Sequence, residues 1–354
     1  MRTIVTDRNA FRDASLTVLT ERLSRGGSGI RVRGVSGSAR AFLAALLFRR
    51  LARTLIVVTS TEAEARNFQR DMAFFLGGVE VLLYPDVETA TADILTGQRE
   101  SERSRVRVLD RLIDGAPVPL VASLQALLRR VIPRSVLELN RFTVSLGNVV
   151  DRDVLAQQLL AGGYERVTLV AEEGEFSLRG HVMDVFSPGG THPVRLEFVG
   201  DEIESMRIFD AASQRSIDEI LSCTFIPARE AILTEDRIQR AIRNVRFRAQ
   251  ALELPRAVRE TLTETLTRRQ SAQFPARWLS LFYENVSNAE QDAAEGLSTV
   301  FDYLPADALL FLDNPAALRQ AQEAFADELD GVILKAEREG RFFLEREQTH
   351  LQGE

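Results

Sequence analysis

Short β-branched runs alternate with helix-period segments over the first third of the chain, a rhythm that predicts a parallel sheet covered by helices. Gly29 to Val35 reads as a strand, and Ser38 to Leu51 as the helix that follows it. Thr54 to Thr59 (TLIVVT) reads as a second strand and Glu62 to Phe75 as a second helix. Val79 to Tyr84 and Val118 to Ala122 supply two further strands. Between them, Asp86 to Glu102 is polar with no clear period, which predicts a long loop.

After about Asn140 the pattern changes. Asp151 to Ala161 reads as a short helix closed by Gly162–Gly163, a helix-stop signal. Val167–Val170, His181–Phe186, Pro193–Phe198 and Ile203–Phe209 read as strands separated by turn residues, the last two joined through Gly200–Asp201. From Thr234 to about Asp292 the pattern is helical and charged. At Ala308 to Leu312 a parallel-type apolar strand (ALLFL) reappears, followed by a helix from Pro315 to about Leu329. The predicted fold class is α/β: a degenerate P-loop NTPase-like, helicase-like parallel sheet, discontinuous, interrupted by a small antiparallel α+β domain. The expected division is 1–135 for the first part of the α/β domain, 136–228 for the inserted domain and 229–354 for the second part.

Composition narrows the function classes. With 354 residues, 45% hydrophobic and 27% charged, the chain is of ordinary globular type. Its longest apolar run, Ala41 to Phe48, is too short for a bilayer, and the N-terminus lacks the apolar core of an export signal. A single cysteine, Cys223, fits a reducing cytoplasm. His181, His192 and His350 are too scattered for a metal site, so no metal is expected. The net charge of −7 is not the footprint of a nucleic-acid binder. Lys335 is the sole lysine, so any phosphate-gripping lysine would have to be that one.

Residues 34–41 read GVSGSARA, between a predicted strand and a predicted helix. A working phosphate loop has the form G-x-x-x-x-G-K-[ST], whose amides cradle phosphate, whose lysine reaches the β- and γ-phosphates and whose hydroxyl ligates Mg²⁺. Gly34 holds the first position, with Gly37 and Ser38 inside the loop. Ala39 replaces the second glycine, Arg40 the lysine and Ala41 the hydroxyl residue. A β-carbon at Ala39 is unfavourable if the loop needs positive φ there, and Ala41 cannot ligate Mg²⁺. A Gly/Ser-rich turn of this kind also occurs in α/β proteins with no phosphate history. The apolar strand that ends in Asp313 resembles the second half of a nucleotide site, but Asn314 follows where a water-orienting acid is needed. No catalytic residue is expected, and no cofactor.

These fragments resemble the excinuclease protein UvrB and, more closely, the N-terminal region of transcription-repair coupling factors. GVSGSARA is similar to the G-V-T-G-S-G-K-T loop of UvrB, and DYLPADALLFLDNP (302–315) to its D-Y-x-P-x-D-x-L-x-x-x-D-E-S stretch. GEFSLRGHVMDVFSPG (174–189) with VRLEFVGDEIESMRIFD (194–210) is similar to the family's middle domain. UvrB carries a tyrosine-rich, DNA-clamping hairpin after the third strand. The corresponding stretch here, 84–103, has Tyr84 as its only aromatic residue, and base stacking needs aromatic faces.

The resemblance implies that the middle domain docks the excinuclease protein UvrA. Its contact residues fall on Arg179 and Arg195, with the aromatic position on Val199 and Phe198 just before it. It also implies a parent chain that continues beyond Glu354 into an RNA-polymerase-binding domain and an ATP- and Mg-dependent translocase on duplex DNA. In such a parent, a distal C-terminal domain is expected to mask the arginines. The competing structural role for both arginines is to satisfy Glu197, Asp201 or Glu202 within the domain. Two other functions stay open on sequence: a nucleotide hydrolase that tolerates the altered loop, and a DNA-binding module. Glu172, Glu173 and Glu175 read as a solvated turn, RLARTL (50–55) and RFRAQ (246–250) as solvated helix faces, and Phe274 and Trp278 as core.

Overall fold

The computed structural model describes residues 2–7, 14–26, 29–87, 94–268, 278–285 and 296–351. The first stretch of chain forms β1 (Arg2–Asp7), α1 (Ala14–Ser24), β2 (Ile30–Arg33), α2 (Ala39–Leu51), β3 (Leu55–Thr59), α3 (Glu62–Leu76), β4 (Leu82–Tyr84), α4 (Ile94–Ile113), β5 (Pro119–Ser123), α5 (Leu124–Leu128) and α6 (Arg134–Leu139). The middle stretch forms β6 (Phe142–Ser145), α7 (Arg152–Ala161), β7 (Glu165–Arg166), β8 (Glu175–Arg179), β9 (Val182–Phe186), β10 (Val194–Val199), β11 (Glu202–Phe209), β12 (Ser216–Glu219) and β13 (Ser222–Phe225). The last forms α8 (Glu235–Ala251), α9 (Arg256–Thr267), α10 (Leu279–Tyr283), a 3-10 turn (Val300–Tyr303), β14 (Leu309–Asp313), α11 (Pro315–Arg338) and α12 (Arg346–Thr349).

The chain does return to complete its first sheet. β14 inserts between β1 and β3, giving the all-parallel order β2-β1-β14-β3-β5-β4. The unbroken apolar character of these strands follows from burial on both faces. Leu55 and Val57 of β3 join Leu309, Phe311 and the helices α2 and α3 in one core. Ile56 and Val58 join Leu310, Leu120 and the helices α4 and α8 in the other. Trp278 belongs to this second core, as expected, whereas Phe274 lies outside the described residues.

The predicted loop at 86–102 is corrected in part. α4 begins at Ile94 and runs to Ile113; residues 88–93 lie outside the described part. Its inward face includes Val106, Leu109 and Leu112 but also the fully buried Arg105, whose Nε donates to Glu230 at 2.6 Å. A helix that buries charged side chains carries no clean apolar period, so the polar run hides it. α11 also extends beyond the predicted end at Leu329, to Arg338.

The middle stretch folds as a separate sheet of order β12-β11-β10-β9-β8-β7, antiparallel except for the short β7–β8 pair. Its apolar face (Phe176, Met183, Val185, Leu196, Phe198, Ile203, Met206) packs on Leu155, Ala156 and Leu159 of α7. The strand predicted at Val167–Val170 is absent: that stretch is irregular, and the regular pairing on either side is made by Glu165–Arg166 and by β8. The hydrophobic pattern does not predict strands β1, β6, β8, β12 and β13.

The two sheets meet through bare backbone and arginine stems. Arg99 of α4 pairs with Glu165 at 2.8 Å, and Arg103 donates to the Glu173 carbonyl. Gly163 and Gly189 both have positive φ (85° and 76°). A Cβ built on Gly189 would lie 2.7 Å from Arg107 Cδ, and one on Gly163 would lie 2.8 Å from Arg229 Cγ. Only glycine leaves room for these stems.

Candidate functional site

Two arrangements contain the residues singled out from the sequence. The first is the degenerate phosphate loop between β2 and α2. Gly34 and Gly37 take positive φ (86° and 56°), whereas Ala39 is the first residue of α2 and has no positive φ. The strain expected from a β-carbon at Ala39 is therefore not present; the turn places its demand on Gly34 and Gly37 instead. Ser38 precedes the helix without capping it through its side chain, and Ala41 is buried in the core beneath.

Arg40 turns its guanidinium across this loop. Its Nε donates to the Gly37 carbonyl at 3.2 Å, and its Nη1 pairs with the carboxylate of Asp313 at the end of β14. Asp313 is nearly fully buried. Asn314 follows in the left-handed region (φ 55°) and caps α11, its side chain accepting from the Ala317 amide at 3.5 Å. Short polar Asn tolerates this conformation and is a good N-cap. The two segments singled out from the sequence are thus adjacent in space, and the cation of one is paired with the acid of the other.

The second arrangement lies on the outer face of the antiparallel sheet. In register, Ser177 of β8, Asp184 of β9, Arg195 of β10 and Arg207 of β11 form one cross-strand row, with Arg179 opposite Val182 in the next. Cross-strand partners share a face. Asp184 is 0% exposed and holds both arginines. Arg195 donates to it through Nε at 2.7 Å and Nη2 at 2.9 Å, a bidentate fork. Arg179 donates through Nη2 at 2.7 Å. The bond from Asp184 raises the pKa of the Arg195 guanidinium above its usual value, and its Cζ lies 4.6 Å from the Phe209 ring centroid.

Sequence reasoning misses Asp184, because the acids it weighs as partners are Glu197, Asp201 and Glu202. The sequence marks it only as one acid at the centre of the apolar strand V-M-D-V-F; that Arg195 stands opposite it, with Arg179 one row on, shows only in the register. The two arginines are not equivalent. The Arg195 side chain is 20% exposed and braced on two sides, whereas that of Arg179 is 48% exposed and presents its fork to solvent.

The neighbouring aromatic expectation needs correction. Phe198 points into the core of the inserted sheet, where it is 2% exposed, and it cannot meet a partner. Val199, one residue on, alternates to the outer face and is 62% exposed. Tyr84, the only aromatic residue of the 84–103 stretch, is fully buried with Arg105 4.4 Å above its ring, so it offers no face for base stacking.

The remaining candidates stay structural. The Glu175 carboxylate accepts from the amides of Ala171 and Glu172 and closes its own turn. Among the described residues no group of His, Cys, Asp and Glu is placed to hold a metal, and no helix is long and apolar enough to cross a membrane. Arg53 pairs with Asp307 at 3.3 Å and Arg248 with Glu345, so both arginine-rich helix segments engage carboxylates.

Comparison with known proteins bears on the second arrangement. Residues 142–230, which contain it entirely, match the family described as UvrB interaction domain. The chain is 35% identical over 317 residues to a transcription-repair-coupling factor of Myxococcus xanthus, covering 86% of this chain and 26% of that protein. It is 28% identical over 318 residues to one of Bacillus subtilis, covering 87% and 26%, and 25% identical over 353 residues to one of Staphylococcus aureus, covering 97% and 29%. The chain spans about a quarter of the length of these relatives.

Proposed function

We propose, from its likeness to transcription-repair-coupling factors, that this chain is a recruitment module of transcription-coupled nucleotide-excision repair that docks the excinuclease protein UvrA and does not itself turn over nucleotide. Its middle part is the match to a UvrB interaction domain. The observation that carries the docking reading is the Asp184 cluster. Two guanidiniums share one buried carboxylate, so the three groups together have a surplus positive charge. Arg179 holds that surplus at the surface in a fixed orientation, ready for a carboxylate of the partner.

The non-catalytic part of the reading rests on the phosphate loop. Arg40 is paired with Asp313, the acid that would orient Mg²⁺ in a working site, and Ala41 has no hydroxyl to offer the metal. Nucleotide would have to break that pair and then bind without a metal ligand from the loop. In the full-length parent, the partners would include RNA polymerase and duplex DNA, and ATP with Mg²⁺ would serve a separate motor.

Titration of purified UvrA against this chain tests the reading. Arg179→Ala is expected to weaken binding by roughly 2–4 kcal/mol, the range of an interface hot spot, with the melting temperature nearly unchanged. Arg195→Ala is expected to weaken binding as much and to lower stability as well. Equal affinity in both variants and the parent would refute docking through this face. Mg·ATP hydrolysis abolished by Arg40→Ala would refute the non-catalytic assignment and favour a hydrolase.

A further inference from the structure

The β10–β11 hairpin carries an irregularity beside the arginine cluster. Glu197 pairs with Ser205, but the next residue, Phe198, pairs with Ile203, leaving Glu204 as the extra residue of a β-bulge. Below this point Val199 pairs with Glu202, and Glu202 is in turn bridged on its other side by Val149. The bridge is secured by backbone bonds: the Val150 amide donates to the Asp201 carbonyl at 2.7 Å, and the Ile203 amide to the Asn148 carbonyl at 2.9 Å.

Val199, Glu202 and Val149 therefore form a row across β10, β11 and the segment bridged to β11, on the same outer face as Arg195. Val199 is 62% exposed and Val149 is 76% exposed. At the spacing of neighbouring strands, the two valines stand about 10 Å apart with the glutamate between them. Val199 lies four residues beyond Arg195 on the same strand, about 13 Å along it.

We infer that the apolar contact the resemblance places at Val199 extends across Glu202 to Val149, so that the two valines form an apolar end in place of the missing aromatic anchor. This inference rests on the docking reading above. The face then demands a particular surface of its partner. A carboxylate meets Arg179, which is level with Glu197 and two strands from β10; an apolar side chain, with a basic group close by for Glu202, meets Val199 about 12 Å and Val149 about 20 Å from it. The charge order along the face, positive at the cluster and negative between the valines, sets the direction in which the partner lies. Val149 comes from the segment after β6, distant in sequence from the arginines, so spacing within 174–210 could not reveal it.

The test is equilibrium binding of UvrA to the parent chain, Arg179→Ala, Val149→Asp, Val199→Asp and Val149→Leu, with thermal melts of each. Because both valines are exposed, the melts are expected to coincide with the parent's. Val149→Asp and Val199→Asp are each expected to weaken binding about tenfold, by setting an unpaired charge against an apolar group, while Val149→Leu binds at least as well as the parent. Binding by Val149→Asp within about twofold of the parent, alongside clear loss in Arg179→Ala, would overturn this contact point and leave the docking reading standing. Absence of binding by the parent chain itself would remove the docking reading and this contact with it.

Discussion

The molecule contains the same chemical pair, arginine with aspartate, in two regions to opposite effect. At the parallel sheet, Arg40 pairs with Asp313 and turns its Nε onto the Gly37 carbonyl. At the antiparallel sheet, two arginines share Asp184, and the one held less tightly faces outward. In the first the cation is turned inward onto the loop; in the second one cation is left facing solvent. Both carboxylates are buried; what differs is how far the paired arginine reaches into solvent, 27% exposed for Arg40 against 48% for Arg179. Identifying an arginine beside an acid therefore says nothing about availability until the exposure of the guanidinium is known.

Three measurements would break or sharpen that contrast. The largest effect is expected from Asp184→Ala, which strands two cations above an apolar sheet. Removing one partner of a buried pair costs about 3–5 kcal/mol in general, and the partial exposure of Arg179 places this variant near the lower end, at about 3 kcal/mol in urea unfolding. Binding of UvrA is expected to fall with it, because the guanidiniums lose their fixed orientation. A stable Asp184→Ala variant that binds normally would mean that Asp184 positions nothing.

Acid should next distinguish the regions. His350 follows α12, is bridged to Arg129 and packs edge-on against Phe325 in the parallel-sheet part. Burial first, and then the nearby Arg129 charge, push its pKa down to about 3. A depressed histidine stays neutral when folded but protonates in the unfolded chain below about pH 6.5. Its contribution is therefore intact above that pH and is lost progressively as pH falls towards 3. Between pH 6.5 and 5 the loss is about 2 kcal/mol. His350→Gln is expected to flatten this part of the stability curve; an unchanged slope would show that the imidazole is not held neutral.

The smallest effect is expected at the closed site. Arg40→Ala takes one cation from the buried Asp313, which keeps a further interaction, and should cost about 1.5 kcal/mol, the low end for a hydrogen bond to a charged group, while leaving UvrA affinity untouched. A drop in affinity would link the two regions and end the contrast.

Much of the fold is legible because both sheets follow simple periods. β3, β5 and β14 are apolar on both faces, and β10 alternates. The missed elements share a physical cause. α4 buries Arg105 against Glu230, and β8 places Ser177 in a buried position, so polarity and burial part company there. The arginine pair is legible through its motif, but the shared acid is not, since it lies in an apolar strand and its role emerges only from antiparallel register. Phe198 and Val199 cannot be told apart by composition; strand alternation decides which of them faces solvent.

The glycines beneath the arginine stems have a consequence for aim. Where Arg107 of α4 crosses Gly189, separation between the two lobes is set by main chain against an aliphatic stem, and Arg229 crosses Gly163 in the same way where the chain leaves the inserted domain. A single methyl group added at either seam would act like a shim under an instrument mount. The chemistry of the outward arginine would survive, but the bearing on which it is presented would swing.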